Sequence, residues 1–252
     1  MELLNIELLF YIICVMTFAG FIKGVVGFAF PMISYSFLSL IFSAEHTLSI
    51  LIFPTIVMNI VQLYLSKKSY KKFKLKKILL FLIILLLTLF LTTQIYFFLP
   101  VNFITYSMAF FIMTYSLFPN MNLFIQNKET FQKLLKVIIG ILSGFFGGVS
   151  GIWGPSTVIF LLSINVTKKE FIFFKSIIFI LGSIFLIIGH SISGLINFQS
   201  AINSIFFIIP SLLGLIIGTH IRTKINTSLF FFLVRIVLFL CSITIIVNTF
   251  SS

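Results

Sequence analysis

The amino-acid sequence predicts an all-α polytopic membrane protein made of two homologous halves, which are inverted repeats with Gly/Pro-broken helices. Three observations predict this fold class: the composition, the lengths of the apolar runs, and one Gly/Pro pattern that occurs twice. Of the 252 residues, 60% are hydrophobic and 9% are charged, whereas a soluble domain is about 25% charged. The composition therefore excludes a water-soluble globular enzyme and a disordered chain.

Apolar runs occupy most of the chain. Most of them suit one membrane-spanning helix, which needs about 20 apolar residues. Two runs are too long for one span, and both are interrupted by Gly and Pro near the middle. The first run lacks the basic start of a removable signal peptide, so it is predicted to be a membrane helix. The runs cover residues 8–43, 47–65, 78–99, 101–118, 134–166, 171–193, 201–219 and 229–249.

The two long runs carry the same pattern. Residues 18–32 read FAGFIKGVVGFAFPM, and residues 142–156 read LSGFFGGVSGIWGPS. At a constant offset of 124 residues, four Gly/Pro identities fall in register. They are Gly20 with Gly144, Gly24 with Gly148, Gly27 with Gly151, and Pro31 with Pro155. Identities in register at the break of each over-long run predict an internal duplication, with repeats at 1–125 and 126–252.

Basic residues predict the orientation of the chain. If each long run crosses the membrane twice, all 14 basic residues of four loops lie on one side, and the loops on the other side carry none. A single crossing would instead place the last two of these loops outside. The positive-inside rule favours the double crossing, five segments per half, and inverted repeats. The loops predicted to be cytoplasmic are 66–77, 128–136, 168–169 and 222–224.

The paired breaks are the predicted substrate site. Proline interrupts a helix, and the freed backbone groups are tolerated in a membrane only inside protein or a wet cavity. Freed helix N-termini bind anions, and paired broken segments indicate the binding site of a transporter. Close packing through Gly-x-x-x-Gly explains the glycines but not the matching prolines. The predicted substrate-binding residues are Gly20, Lys23, Gly24, Gly27, Pro31, Ser34, Gly148, Ser150, Gly151, Trp153, Gly154, Pro155 and Ser156.

Several of these side chains have two interpretations. A charge at membrane depth is costly and by default functional, so Lys23 either pairs with a substrate anion or snorkels to the interface. The single Trp, Trp153, either walls the site or anchors the chain at an interface. The hydroxyls of Ser34, Ser150 and Ser156 either donate to an oxyanion or bond their own backbone.

Three polar residues outside the breaks are predicted to be structural. Lys175 is close enough to the basic loop at 168–169 to snorkel, with a substrate role as the alternative. Asn59 and Gln62 lie three residues apart on one face and are expected to form interhelical hydrogen bonds.

The sequence lacks the patterns of other functions. The five acidic residues lie at or near segment ends, which argues against cation coordination at membrane depth. His and Cys are scattered without metal-ligand spacing, so neither a metal nor a cofactor is predicted. No phosphate loop and no catalytic motif is found, so the protein is predicted not to be an enzyme. The expected partners are a small anion and the lipid bilayer, not nucleic acid, and homo-oligomerisation stays open.

The duplicated segments resemble the signature of the TauE/SafE sulfite exporter family, the TSUP transporters. The segment IIPSLLGLIIGTHIRTKIN, before the last apolar run, is similar to the Pro–Gly–Gly–basic pattern of that family. The resemblance covers essentially the whole chain. It implies an inner-membrane carrier of small anions, often sulfite, thiosulfate or organosulfonates such as sulfoacetate. Lys23, Phe28 and Phe30 replace the small residues that are frequent in that family, which implies an altered size or charge preference.

The leading hypothesis is secondary transport of a small anion. The anion would bind near the midplane between two repeats that alternately expose it to either side. The membrane potential favours anion export by about 2.3 kcal/mol per charge per 100 mV. The alternatives are a passive anion channel and a non-transporting membrane subunit, of which the subunit does not explain the duplicated breaks.

Overall fold

The computed structural model describes residues 6–38, 40–42, 44–66, 75–95, 98, 106, 113, 129–151, 153–164, 166–194 and 198–251. The described residues form helices, turns and short connections, and no strand occurs among them. The prediction of an all-helical chain is thus confirmed. Most of the apolar run at 101–118 lies outside the described residues.

The helices follow the apolar runs. In chain order they are α1 (Ile6–Val26), α2 (Phe30–Leu38), α3 (Ala44–Ser66), α4 (Lys76–Gln94), α5 (Glu129–Ser150), α6 (Gly154–Ser163), α7 (Lys168–Ile192), α8 (Phe198–Asn203), a 3-10 turn (Ser204–Phe207), α9 (Ile208–Lys224) and α10 (Thr227–Ser251). Six helical stretches of the described chain are long and apolar enough to cross a membrane. α6 is apolar but shorter, at 10 residues, and α2 has 9 residues.

The chain forms two compact units, and each combines segments from both ends of the sequence. Unit 1 contains Met1–Met58 and Ile196–Val234, and unit 2 contains Asn59–Leu195 and Arg235–Ser252. The division into repeats at 1–125 and 126–252 is not the division into units, and it stays a prediction.

Unit 1 is built on the contact between α1 and α9. Gly20 and Gly24 of α1 lie against the backbone of α9, and Gly214 and Gly218 of α9 lie against the backbone of α1. A β-carbon at any of the four would overlap a backbone carbonyl oxygen of the other helix. Small residues at this spacing let two helices approach more closely than side chains would allow.

Unit 2 is built on α4, which packs against α5 and α7. Gly144 of α5 lies on Leu85 and Thr88 of α4, while the rings of Phe81 and Phe160 stack with centroids 3.9 Å apart. The short helix α6 packs against α5 and α7. α4 therefore joins the helices that surround α6.

The start of α7 is firmly defined. The Thr167 hydroxyl accepts from the Glu170 backbone N–H at 3.3 Å, and the Glu170 carboxylate accepts from the Thr167 backbone N–H at 3.0 Å. This reciprocal pair is a capping box. The same carboxylate accepts a hydrogen bond from the Lys77 ammonium at 2.7 Å, which ties α4 to α7 at their N-terminal ends.

Three of the segments predicted to be basic loops are helical, so that part of the sequence prediction is wrong. Residues 129–136 are the first turns of α5, residues 168–169 begin α7, and residues 222–224 are the last turn of α9. Charges at membrane helix ends form helical turns as readily as loops, because the helix extends beyond the apolar core. Of the fourth segment, residues 67–74 lie outside the described residues.

Candidate functional site

Two short connections each join a long helix to a short one. The first lies in unit 1, where α1 ends at Val26 and α2 begins at Phe30. Gly27 has φ +95°, and Ala29 has φ +77°. Glycine adopts this left-handed conformation without steric cost, whereas alanine there stores strain of about 1–3 kcal/mol. Pro31 is the second residue of α2, where a missing N–H leaves no hydrogen bond unmade.

Lys23 lies at the end of α1, beside this connection. Its side chain is 0% exposed, and its ammonium lies 5.7 Å from the centroid of the Phe30 ring. This distance is within the range of a cation–π interaction. The buried position does not fit a side chain that reaches the membrane interface, so the snorkelling interpretation of Lys23 is not supported.

Gly20 and Gly24 have a packing role in the structure, since both lie at the contact with α9. The Gly24 carbonyl oxygen also accepts a hydrogen bond from the guanidinium of Arg222, 2.9 Å away, and Arg222 is buried. Sequence reasoning placed Arg222 in a loop and missed this contact. The signal was present, because Gly214, Gly218 and Arg222 repeat every four residues and so share a helix face.

Ser34 is completely buried in α2, and its hydroxyl has no hydrogen-bond partner among the described residues. Bonding to its own backbone was one of two predicted roles. The neighbouring Ser36 does make such a bond, from its hydroxyl to the Met32 carbonyl at 2.9 Å. Ser34 therefore stays available as a donor.

The second connection lies in unit 2, where α5 ends at Ser150 and α6 begins at Gly154. Gly151 has φ +69°. Trp153 precedes α6 as its N-cap without a side-chain cap bond, and Pro155 occupies its first turn. The first backbone N–H groups of α6 thus lack a side-chain acceptor. The side chain of Ser150 lies outside the described part of the chain.

Two of the predicted residues of this connection have structural contacts. A β-carbon at Gly148 would lie 2.6 Å from Thr92 Cβ and 2.8 Å from the Leu89 carbonyl oxygen, so Gly148 permits close packing of α5 on α4. The Ser156 hydroxyl donates to the Trp153 carbonyl oxygen at 3.2 Å. For Ser156, the backbone-bonding alternative is therefore observed.

Trp153 lies in the interior of unit 2. It is 5% exposed, and its ring meets the Phe179 ring edge-on with centroids 5.8 Å apart. A β-carbon at Gly182 would lie 3.0 Å from Trp153 Nε1. This indole nitrogen is buried and has no hydrogen-bond partner among the described residues. The interior position fits a wall of a site and does not fit an interface anchor.

The prediction that Lys175 snorkels is wrong. Lys175 is 0% exposed, and its ammonium donates a hydrogen bond to the side-chain oxygen of Gln62, which is also 0% exposed. The interhelical hydrogen bond predicted for Gln62 is thus present. The amide of Asn59 is buried but unbonded within the described residues. Sequence reasoning missed the pairing because the partners are 113 residues apart.

The decisive comparison is with protein families. Residues 12–245 match the family described as Sulfite exporter TauE/SafE. The chain belongs to the TauE/SafE sulfite exporter family. The resemblance noted in the duplicated segments is therefore confirmed across nearly the whole chain. Comparisons with curated proteins and with solved structures find no match.

Membership in the TauE/SafE family indicates that the helices lie in a membrane. The family is one of membrane transporters, and six stretches of the described chain have the length and composition of membrane spans. The protein is thus a multi-pass membrane protein of a sulfite-exporter type. Its buried cationic side chains, Lys23, Lys175 and Arg222, lie inside the spanning helices.

Proposed function

We propose that this TauE/SafE protein is a secondary transporter of a small anion, a sulfur oxyanion or an organosulfonate, across the inner membrane. The anion binds near the bilayer midplane beside the two short connections and is carried by alternating access. One observation carries the proposal: matching helix ends occur at positions 124 residues apart.

The helix bounds supply that observation. α1 ends at 26 and α5 at 150, while α2 begins at 30 and α6 at 154. The glycine that follows the longer helix has a positive φ in both cases, at Gly27 and Gly151. α3 and α7 begin at 44 and 168, so the same offset of 124 extends beyond the breaks. This agreement supports repeats at 1–125 and 126–252.

Helix packing supports the repeats independently. The first helix of each proposed half packs on the fourth segment of the other half: α1 on α9, and α5 on α4. Gly20 lies on Ser211, and its counterpart Gly144 lies on Leu85, so the two contacts agree to within two residues after the offset. Because the first helix of each half packs on the other half, each compact unit contains segments of both halves. This arrangement supports inverted repeats that move against each other.

The charges support an anion as cargo. In the described helices the acidic residues lie in first turns, as Glu7 does in α1 and Glu170 in α7. Lys23 and Lys175 are fully buried instead. A buried cation attracts an anion much more strongly than an exposed one, because the surrounding dielectric is low. The membrane potential then favours export, by about 2.3 kcal/mol per charge per 100 mV.

The proposal is tested by flux in proteoliposomes. Radiolabelled sulfite, thiosulfate and sulfoacetate are loaded, and efflux is followed with and without an imposed potential. We expect saturable efflux of at least one anion, with stimulation by the same anion on the other side. Flux without saturation or stimulation would indicate a passive channel. No flux from folded, inserted protein would overturn the transport assignment.

A matched pair of glycine variants tests the role of the breaks. Gly151→Leu forces a bulky side chain into a left-handed conformation, and we expect it to abolish flux. Gly194 also has a positive φ of +79°, but a β-carbon there meets nothing within 4 Å. Gly194→Asn should therefore retain flux, since Asn tolerates this conformation. Equal flux from both variants would contradict a substrate site at the second connection.

A further inference from the structure

A group of donors surrounds one aromatic ring in unit 2. Lys175 and Phe179 are one turn apart on α7, and the Lys175 ammonium lies 4.9 Å from the centroid of the Phe179 ring. Trp153 meets the same ring at 5.8 Å. A β-carbon on Gly154, the first residue of α6, would lie 3.3 Å from Phe179 Cζ. We name Gln62, Trp153, Gly154, Lys175 and Phe179 the Phe179 cluster.

The lysine of this cluster is held by a neutral partner. The Gln62 carboxamide accepts a hydrogen bond from the Lys175 ammonium, which carries three N–H donors in total. An amide bears no charge, so Gln62 does not neutralise the lysine as a carboxylate at this position would. Gln62 therefore positions the ammonium without forming an ion pair with it.

Buried donors on α3 and at the start of α6 are also unbonded within the described residues. The Trp153 indole N–H, the Thr157 hydroxyl and the Asn59 amide have no hydrogen-bond partner there, and all three residues are at most 5% exposed. Thr157 lies one turn into α6, and Asn59 lies one turn before Gln62 on α3. Buried polar groups are normally bonded, so unbonded ones indicate a ligand or ordered water.

The start of α6 adds donors of a different kind. Its N-cap residue makes no side-chain cap bond, so the backbone N–H groups of Gly154 and Ser156 begin the helix without an intrahelical acceptor. The partial positive charge of a helix N-terminus favours an anion. A lysine, an indole ring whose N–H is unbonded, and a helix start all lie at the Phe179 ring, and together they suit a small anion with several oxygen acceptors.

We propose that the Phe179 cluster binds the oxyanion head group of the transported anion. Lys175 Nζ and Trp153 Nε1 donate to its oxygens, the start of α6 adds its backbone donors, and Gln62 positions the lysine. The site prefers a sulfite or sulfonate group over chloride, because only a polyoxygen anion accepts from several donors at once. This inference rests on the proposed transport function.

The test compares variants of the cluster in sulfite flux and in sulfite binding by calorimetry. Lys175→Met should raise KM and the dissociation constant about tenfold to a hundredfold, as expected for a lost hydrogen bond to a charged group. Lys175→Arg should retain part of the binding. Lys169→Met, an exposed lysine of the same helix, should leave both constants unchanged.

Two further variants separate binding from folding. Gln62→Glu keeps the size of the side chain but supplies an internal anion, so we expect thermal stability to hold while sulfite affinity falls at least tenfold. Trp153→Phe keeps an aromatic ring and removes only the N–H, and it should raise KM about threefold to tenfold. A purely structural cluster would instead lower stability in both variants without changing KM.

The outcomes distinguish this inference from the proposed function. Wild-type flux with unchanged constants in Lys175→Met and Gln62→Glu would overturn the cluster and leave transport standing. Absence of wild-type flux would overturn transport, and calorimetry would then decide the cluster alone. Sulfite binding that Lys175→Met abolishes supports the site, and binding indifferent to that change overturns it. Chloride binding as tight as sulfite binding would overturn the stated preference.

Discussion

The two short connections share their helix ends and a glycine with positive φ, but they differ in the residue before the short helix and in their side chains. Ala29 has φ +77°, whereas Trp153, 124 positions later, has φ −103°. In unit 1, Lys23 lies beside the connection, while the residue 124 positions later is Gly147. In unit 2, the buried lysine is Lys175 on α7, and the corresponding position of α3 holds Leu51. Each unit thus contains a completely buried lysine near the start of a short helix, but from a different helix. The comparison teaches that the helix ends and the left-handed glycine are shared, while the residue before the short helix and the donors differ.

The helix contact of unit 1, between α1 and α9, also differs from that of unit 2, between α5 and α4. In unit 1, a β-carbon at any of the contact glycines of α1 and α9 would overlap a backbone carbonyl oxygen. In unit 2, the contact of α5 with α4 varies along the helix: a β-carbon at Gly144 would lie 2.6 Å from the Leu85 carbonyl oxygen, whereas one at Gly140 would meet nothing closer than the Ile84 side chain, at 3.1 Å. A contact at 3.1 Å needs a smaller shift than an overlap with backbone. We therefore expect the α1–α9 contact of unit 1 to tolerate substitution less than the Gly140 position of unit 2.

The largest effect is expected at these contacts. In Gly214→Ala the new methyl group overlaps the Thr17 carbonyl oxygen and lies 2.7 Å from the Phe21 nitrogen. In Gly140→Ala it lies 3.1 Å from the side chain of Ile84 and 3.2 Å from the Phe81 carbonyl oxygen, so a small shift relieves both contacts. Overpacking costs about 1–3 kcal/mol or more, so we expect at least about 3 kcal/mol for the first variant and under about 1 kcal/mol for the second.

Thermal unfolding in detergent, followed by circular dichroism, measures this difference. A variant of Gly214 that unfolds at the same temperature as the variant of Gly140 would refute the contrast between these two contacts. The result would also show that α1 and α9 separate more easily than their backbone contact suggests.

The next effect concerns the lysine of unit 1. Lys23 is a predicted substrate-binding residue, so Lys23→Met should raise the KM of sulfite flux roughly tenfold, equivalent to about 1.4 kcal/mol. The exposed Lys224 at the end of α9 provides the control, since Lys224→Met should leave KM unchanged. A normal KM combined with a lower unfolding temperature would instead assign Lys23 to packing against Phe30. That result would make the two units functionally unequal.

The positions of these connections could be predicted from the sequence, but the side-chain contacts around them could not. Gly27 and Gly151 were predicted as break residues because they are identical in register at the interruption of each over-long run, and their positive φ is a conformation that glycine adopts without steric cost. The pairing of Lys175 with Gln62 depends on how α3 and α7 are rotated against each other, which no local pattern fixes. Arg222 was assigned to a loop because charges were counted, although its spacing from Gly218 placed it on the packed face of α9.

A smaller effect is expected at the Arg222 contact. Arg222→Met keeps the apolar stem but removes the hydrogen bond to the Gly24 carbonyl, at a cost of about 1–2 kcal/mol. Arg235, which is partly exposed in α10, serves as the comparison, and Arg235→Met should cost under about 0.5 kcal/mol. Chemical unfolding of both variants by urea in mixed micelles measures the difference. Equal costs would mean that the bond to Gly24 adds no stability.

The smallest effect concerns the backbone strain at Ala29 in the first connection. Ala29 has φ +77°, and glycine adopts this conformation without the clash of a β-carbon. Ala29→Gly removes that strain but adds backbone entropy to the unfolded chain, so the net gain should be at most about 1 kcal/mol. The opposite change is Gly194→Ala, at φ +79° in open space, and it should cost about 1 kcal/mol. Since no contact changes in Gly194→Ala, this variant measures the cost of the left-handed backbone conformation alone.

If unfolding temperatures shift in opposite directions in the two variants, the strain at Ala29 is real and is sustained by the packing of unit 1. If Ala29→Gly lowers stability as well, the methyl group of Ala29 contributes more through its buried contacts than its backbone conformation costs.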